Sequence, residues 1–125
     1  MFRFDHIHLV CRDLAAVGTF LTEVIGAEEL RRTETESLKN WEYSIDGVSV
    51  FVRQQRTGEL LAEAKIRREG VDHLGLRVAE IGSACKHLIA AGCILHEGPS
   101  LVRHNLKTAF LMAPGGLLLE LLQRD

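Results

Sequence analysis

The chain has 125 residues, of which 46% are hydrophobic and 26% charged, and its formal net charge is −2. That is the length and composition of one folded domain with a real core, without the basic excess that nucleic acid or anionic lipid would attract. The opening apolar run already holds Arg3, Asp5, His6 and His8, so it reads as neither a signal peptide nor a membrane span, and a cytoplasmic protein is expected.

In chain order, residues 4–10 (FDHIHLV) read as a strand. Asp13 is a good N-cap for a helix carrying Leu14, Val17, Leu21 and Val24, which Gly26 stops. Short strand-like runs follow at 28–32, 40–45 and 48–53, with Asp46-Gly47 as the turn before the last. Residues 54–70 are charged and partly helical in pattern through Leu60, Leu61 and Ala64, and read as a linker. The order then repeats. Residues 71–78 (VDHLGLRV) form a second strand, and a helix carries Ile81, Ala84, Cys85, Leu88 and Ile89 up to Gly92. Glu80, at its start, is a poor cap. Strand-like runs follow at 94–97, 108–112 and 117–122, the last after the Pro114-Gly115-Gly116 turn. Cys11, Cys85 and Cys93 are odd in number, widely spaced and in no CxxC pair, as expected of reduced thiols.

Side chains alternate across a strand. Ile7, Leu9 and Cys11 should pack on the first helix, leaving His6, His8 and Val10 on the other face. Likewise Leu74, Leu76 and Val78 should face the second helix, with His73, Gly75 and Arg77 opposite. His6 and His73 thus hold equivalent places on equivalent strands. Glu120, among five leucines, needs a cation, a hydrogen bond or exposure. A lone strand histidine is commonly structural, and a terminal-strand glutamate commonly solvated. Two matched histidines and one carboxylate are also a standard donor set for a catalytic divalent metal.

The stretches FDHIHLVCRDLAAVGTFLTEVIGA, GVDHLGLRVAEIGSACKHLIAAG and FLMAPGGLLLELLQ carry a resemblance that covers nearly the whole chain. The sequence resembles the vicinal oxygen chelate superfamily, which includes glyoxalase I, bleomycin and fosfomycin resistance proteins, methylmalonyl-CoA epimerase and extradiol dioxygenases. The resemblance implies an α+β fold of two tandem βαβββ modules whose curled mixed sheets enclose a shared cavity. Residues 1–125 then form one domain, with module one at 1–53, a linker at 54–70 and module two at 71–125. It implies His6, His73 and Glu120 as ligands of one divalent metal ion (Fe, Mn, Ni, Co or Zn). Aligning residues 47–52 with 116–121 puts Phe51, which cannot bind metal, where relatives carry a Glu or Gln ligand. That departure argues against glyoxalase I activity.

The layout is closest to the epimerase branch. A lyase- or isomerase-type proton transfer on a small carbonyl or acyl substrate is therefore implied, with Glu120 and Glu34 as its carboxylates. His8, Phe51, Arg53 and Arg77 are the candidate substrate contacts, and Trp41 and Phe51 a candidate apolar wall. One alternative is an Fe(II) ring-cleaving dioxygenase, with His8 and His104 as acid–base groups. Another is a non-catalytic small-molecule or drug-binding protein. The residue set of the fosfomycin branch is not found in this chain. A homodimer is implied by resemblance.

Overall fold

The computed structural model of the chain describes residues 1–63 and 68–125. Ala64, read above as part of the linker pattern, lies outside the described residues. The chain divides into two compact units, Met1–Leu61 and Ala62–Asp125.

In the first unit, strand β1 (His6–Cys11) leads to helix α1 (Leu14–Thr19), which continues as a π-helical segment (Phe20–Ile25). Asp13 caps α1 by accepting from Ala16 N at 3.1 Å, and Gly26 ends the helical run at φ 84°. Strands β2 (Glu28–Glu34), β3 (Lys39–Ile45) and β4 (Val48–Gln54) complete a mixed sheet of order β1-β4-β3-β2. Only the β1–β4 pair is parallel. Asp46 and Gly47 both have positive φ, which gives the tight β3–β4 hairpin that Asp-Gly predicts.

The second unit repeats this plan. It runs β5 (Leu74–Arg77), α2 (Ile81–Ala90), β6 (Ile94–Arg103), β7 (Leu106–Ala113) and β8 (Leu117–Arg124), with sheet order β5-β8-β7-β6. The expected pair of βαβββ modules is therefore present, as two open four-stranded sheets. Two details differ from expectation. Glu80 is an effective cap: its carboxylate accepts from Gly82 N at 2.8 Å and Ser83 N at 2.6 Å, and these bonds lower its pKa. Strand β6 does not stop near Glu97 but continues past Gly98-Pro99. As an edge strand with repeated register shifts it tolerates proline's missing donor.

Each unit buries one face of its sheet under its helix. In the first, Cys11, Trp41, Tyr43, Val50 and Val52 meet Leu14, Val17, Phe20 and Leu21; in the second, Ala109, Leu111, Leu119 and Leu121 meet Ile81, Cys85 and Leu88. Each fully buried large aliphatic side chain contributes about 1.5–3 kcal/mol. Gly18 lets α1 approach closely, because a Cβ there would stand 2.5 Å from the Tyr43 hydroxyl. The three cysteines are buried and unbonded to one another, and burial raises each thiol's pKa.

A glutamine ties sheet to helix in both units. Gln54 Oε1 accepts from Leu14 N at 2.8 Å, and Gln123 Oε1 accepts from Ile81 N at 2.9 Å. Each satisfies a first-turn donor that the helix itself cannot. Residues just after β4 also belong structurally to the first unit. Arg53 donates to both Glu59 oxygens, at 2.8 and 2.7 Å, and Arg12 donates to Leu61 O at 3.0 Å.

The Arg53 guanidinium, with help from Arg56 N, holds the Glu59 carboxyl down to about 2. A folded-state value below the unfolded one gives stability that is present above the ordinary carboxylate range and is lost as pH falls toward 2. Arg53→Gln is therefore expected to lower the Tm at pH 7 and to flatten its decline between about pH 5 and 2. Thermal melts across that range check this; an unchanged pH profile contradicts it.

Among the described residues, no helix is long and apolar enough to cross a membrane.

Candidate metal and substrate site

The face of each sheet away from its helix carries most of the polar groups singled out in the sequence. In the first sheet, register places His6 beside Ser49, His8 beside Phe51, and Val10 beside Arg53. It continues from Phe51 to Glu42 and from Arg53 to Asn40. His6, His8, Phe51 and Arg53 thus share one open face, as parity predicts.

Three rings cluster there. The His6 and Phe51 centroids are 4.6 Å apart in an edge-to-face arrangement, His6 and His8 are 5.9 Å apart, and His8 and Phe51 are 5.6 Å apart. Burial, then the neighbouring His6, lowers the pKa of His8. Arg53 is on the expected face, but its guanidinium is already taken by Glu59.

In the second sheet, Glu120 lies opposite Gly75, and Arg77 opposite Leu122. Arg77 is exposed on the same face. His73 Nε2 stands 3.1 Å from Glu120 Oε2, and only 16% of the Glu120 side chain is exposed. The Phe110 ring packs edge-to-face on His73 at 5.2 Å. The carboxylate among leucines therefore has a cationic-capable partner rather than free solvent, as its burial requires.

The register settles how the two repeats correspond. Phe51 is paired with the residue two places after His6, and Glu120 with the residue two places after His73. Phe51 is thus the structural counterpart of Glu120, and His8 that of Gly75. Where the second unit has glycine and a carboxylate, the first has two rings. One strand further the types are reversed: Phe51 lies beside Glu42, and Glu120 beside Phe110.

Glu42 is therefore a carboxylate on the open face of the first sheet. It accepts from Ser49 Oγ at 2.8 Å and from Arg31 at 3.2 Å, with 13% of its side chain exposed. Sequence reasoning missed it. The available signal was its alternation with Trp41 and Tyr43 in β3.

Two expectations need correction. Glu34 is not on the face of His6: its Oε1 accepts from Trp41 Nε1 at 2.9 Å, on the helix-covered side. The cause is a bulge between Glu29 and Arg31 in β2. Strict alternation from Glu28 would put Glu34 on the open face, and the extra residue reverses it. Trp41 and Phe51 do not form one wall, because Trp41 is buried under α1 while Phe51 faces the other way. His104 sits exposed in the β6–β7 turn, outside both strands.

His73 and Glu120 fit a divalent ion. Two donors each about 2.1 Å from one ion stand about 3.0–3.4 Å apart at octahedral to tetrahedral angles, and Nε2 and Oε2 are separated by 3.1 Å. Imidazole nitrogen and carboxylate oxygen also suit Fe, Mn, Ni, Co and Zn. His6 offers the same donor type in the first unit. Among the described residues, no group of three or more His, Cys, Asp or Glu side chains is gathered that could hold a metal ion.

Residues 3–121 match the family model described as the Glyoxalase/Bleomycin resistance protein/Dioxygenase superfamily. No curated protein matches the chain. Among solved structures it is similar to the fosfomycin resistance protein FosX from Listeria monocytogenes complexed with Mn(II) and sulfate ion, at 18% identity and TM-score 0.77, over 100% of this chain and 94% of that one. It is similar to the glyoxylase/bleomycin resistance protein/dioxygenase domain from Frankia sp. EAN1pec, at 20% identity and TM-score 0.76, over 100% and 99% of the two chains. FosX from Mesorhizobium loti gives 17% identity and TM-score 0.72, over 97% of this chain and 90% of that one. At such identities the likeness is one of fold.

Proposed function

Because the chain belongs to the Glyoxalase/Bleomycin resistance protein/Dioxygenase superfamily, we propose that it is a metal-dependent enzyme of the lyase or isomerase type, moving a proton on a small carbonyl or acyl substrate. The observation that carries this reading is the 3.1 Å approach of His73 Nε2 to Glu120 Oε2, a carboxylate flanked by five leucines in its strand. His6, at the matching place in the first module, is proposed as the further ligand, and a homodimer as the assembly. A cytoplasmic location is part of the proposal.

One divalent ion, of Fe, Mn, Ni, Co or Zn, supplies Lewis acidity toward a chelating oxygen when bound. The remaining work falls to side chains of this chain. Glu42, in place of Glu34, is the carboxylate that accepts the substrate proton at Oε1 or Oε2, with Ser49 and Arg31 fixing its orientation. Glu120 is a ligand and the second carboxylate of the exchange. His8 and Phe51 wall the substrate, and Arg77 meets an anionic group on it. Arg53 holds the loop after β4 through Glu59 and frames the site indirectly.

A second reading, a binding protein without catalysis, is favoured by Phe51 packing on His6 where a fourth ligand would stand. Protein refilled with each metal in turn and incubated in D2O with a panel of small carbonyl acids and acyl thioesters separates the readings. Metal-dependent deuterium uptake at the carbon beside the carbonyl is the expected result. Oxygen consumption with catechols instead selects the dioxygenase. Ligand binding without either reaction selects the binding protein.

A further inference from the structure

The two candidate histidines are held in the same way, though they lie in separate units. His6 Nδ1 is 2.6 Å from Asp5 Oδ2, and His73 Nδ1 is 2.8 Å from Asp72 Oδ2. In both cases the partner is the preceding residue, and in both a phenylalanine packs edge-to-face on the ring. Within a strand, successive side chains point to opposite faces. Here the pairing is possible because Asp5 and Asp72 precede the first ladder residues of β1 and β5.

An ionised carboxylate only accepts, so Nδ1 carries the hydrogen in each pair. In His6 that leaves Nε2 as the nitrogen available to an electrophile. In the second unit, Nε2 is the atom that faces Glu120. The aspartates have little value to the fold. Their side chains are 89% and 78% exposed, and exposed ion pairs contribute little to stability. Their recurrence at equivalent places therefore calls for a role beyond packing.

We infer that Asp5 and Asp72 are positioning residues: each holds a hydrogen on Nδ1 and the ring orientation of its histidine, so that Nε2 is the atom each ring presents to a metal ion. The inference rests on the proposed metal centre and adds its outer shell. Carboxylate partners of this kind orient a ligand imidazole and raise its basicity, and losing one typically weakens metal binding about 10–100-fold.

The test uses the full chain with Asp5→Ala, Asp72→Ala and Asp5→Asn, beside His6→Ala and Glu120→Ala. Long-range proton–nitrogen correlation on nitrogen-15-labelled, metal-free protein reads the His6 tautomer directly. Wild type is expected to show Nδ1–H. Asp5→Ala should shift toward Nε2–H, and Asp5→Asn should keep Nδ1–H because the amide oxygen still accepts. Titration with Mn(II) and Zn(II) should show about 10–100-fold weaker binding in each Asp→Ala variant. Circular dichroism should be unchanged. If the tautomer in Asp5→Ala matches wild type, or if both Asp→Ala variants bind metal as wild type does while His6→Ala and Glu120→Ala lose it, the inference is overturned and the metal centre stands. If His6→Ala and Glu120→Ala also keep full affinity, the metal centre itself is refuted, and the inference with it.

Discussion

Glu120→Ala is expected to release the bound metal, with affinity falling by more than the about 10–100-fold that follows loss of an outer-shell partner. His6→Ala should do the same. Glu120 supplies an anionic oxygen, and its loss also leaves His73 Nε2 without its 3.1 Å neighbour. Both residues lie on open sheet faces, away from the cores beneath α1 and α2. The variants should therefore fold, with far-ultraviolet circular dichroism like that of the parent. Metal content after refilling and desalting is the measurement. Full retention in both variants means that the ligand assignment is wrong.

The second large effect is a gain. Phe51→Glu puts a carboxylate at the counterpart of Glu120, next to His6. The Phe51 ring already approaches His6 at 4.6 Å, and the position is half-buried rather than core. A fourth donor, and an anionic one, should tighten divalent-metal binding at least tenfold, which is about 1.4 kcal/mol. It should also slow turnover, because the added donor fills a coordination position that a chelating substrate needs. Competitive titration against a chromophoric chelator reads the affinity. Unchanged or weaker binding would show that Phe51 does not border the ion.

Much of this fold was legible in the sequence because each helix packs on one face of its own sheet. Alternation then sorts residues cleanly, and it placed His6, His8, Phe51, His73 and Glu120 on the faces where the structure has them. Local chemistry at Asp13, Gly26 and Asp46-Gly47 was legible for the same reason: each signal lies within a few residues of its effect. What escaped depends on distance or on irregularity. Gln54 and Gln123 serve helices far back in the chain. Glu80 caps with a longer side chain than capping preference favours. The bulge in β2 turns Glu34 to the wrong face, and nothing in Glu-Leu-Arg-Arg announces it. Strand β6 runs on through Gly98-Pro99, past the 94–97 run read from the sequence.

The carboxylate on the first sheet illustrates the same point. Comparison of the repeats looked for it at Phe51, the counterpart of Glu120. The structure has one a single strand away, at Glu42, directly beside Phe51 in the ladder. An exchange between neighbouring strands leaves the face chemistry nearly intact while erasing the match in the aligned sequence.

His6, His73 and Glu120 are proposed to hold one divalent ion. Anomalous scattering from crystals grown with Mn(II) tests this most directly. One peak per chain within about 2.0–2.3 Å of Nε2 of His6, Nε2 of His73 and a carboxylate oxygen of Glu120 is the predicted result. A peak held by other residues, or none at saturating Mn(II), would contradict it.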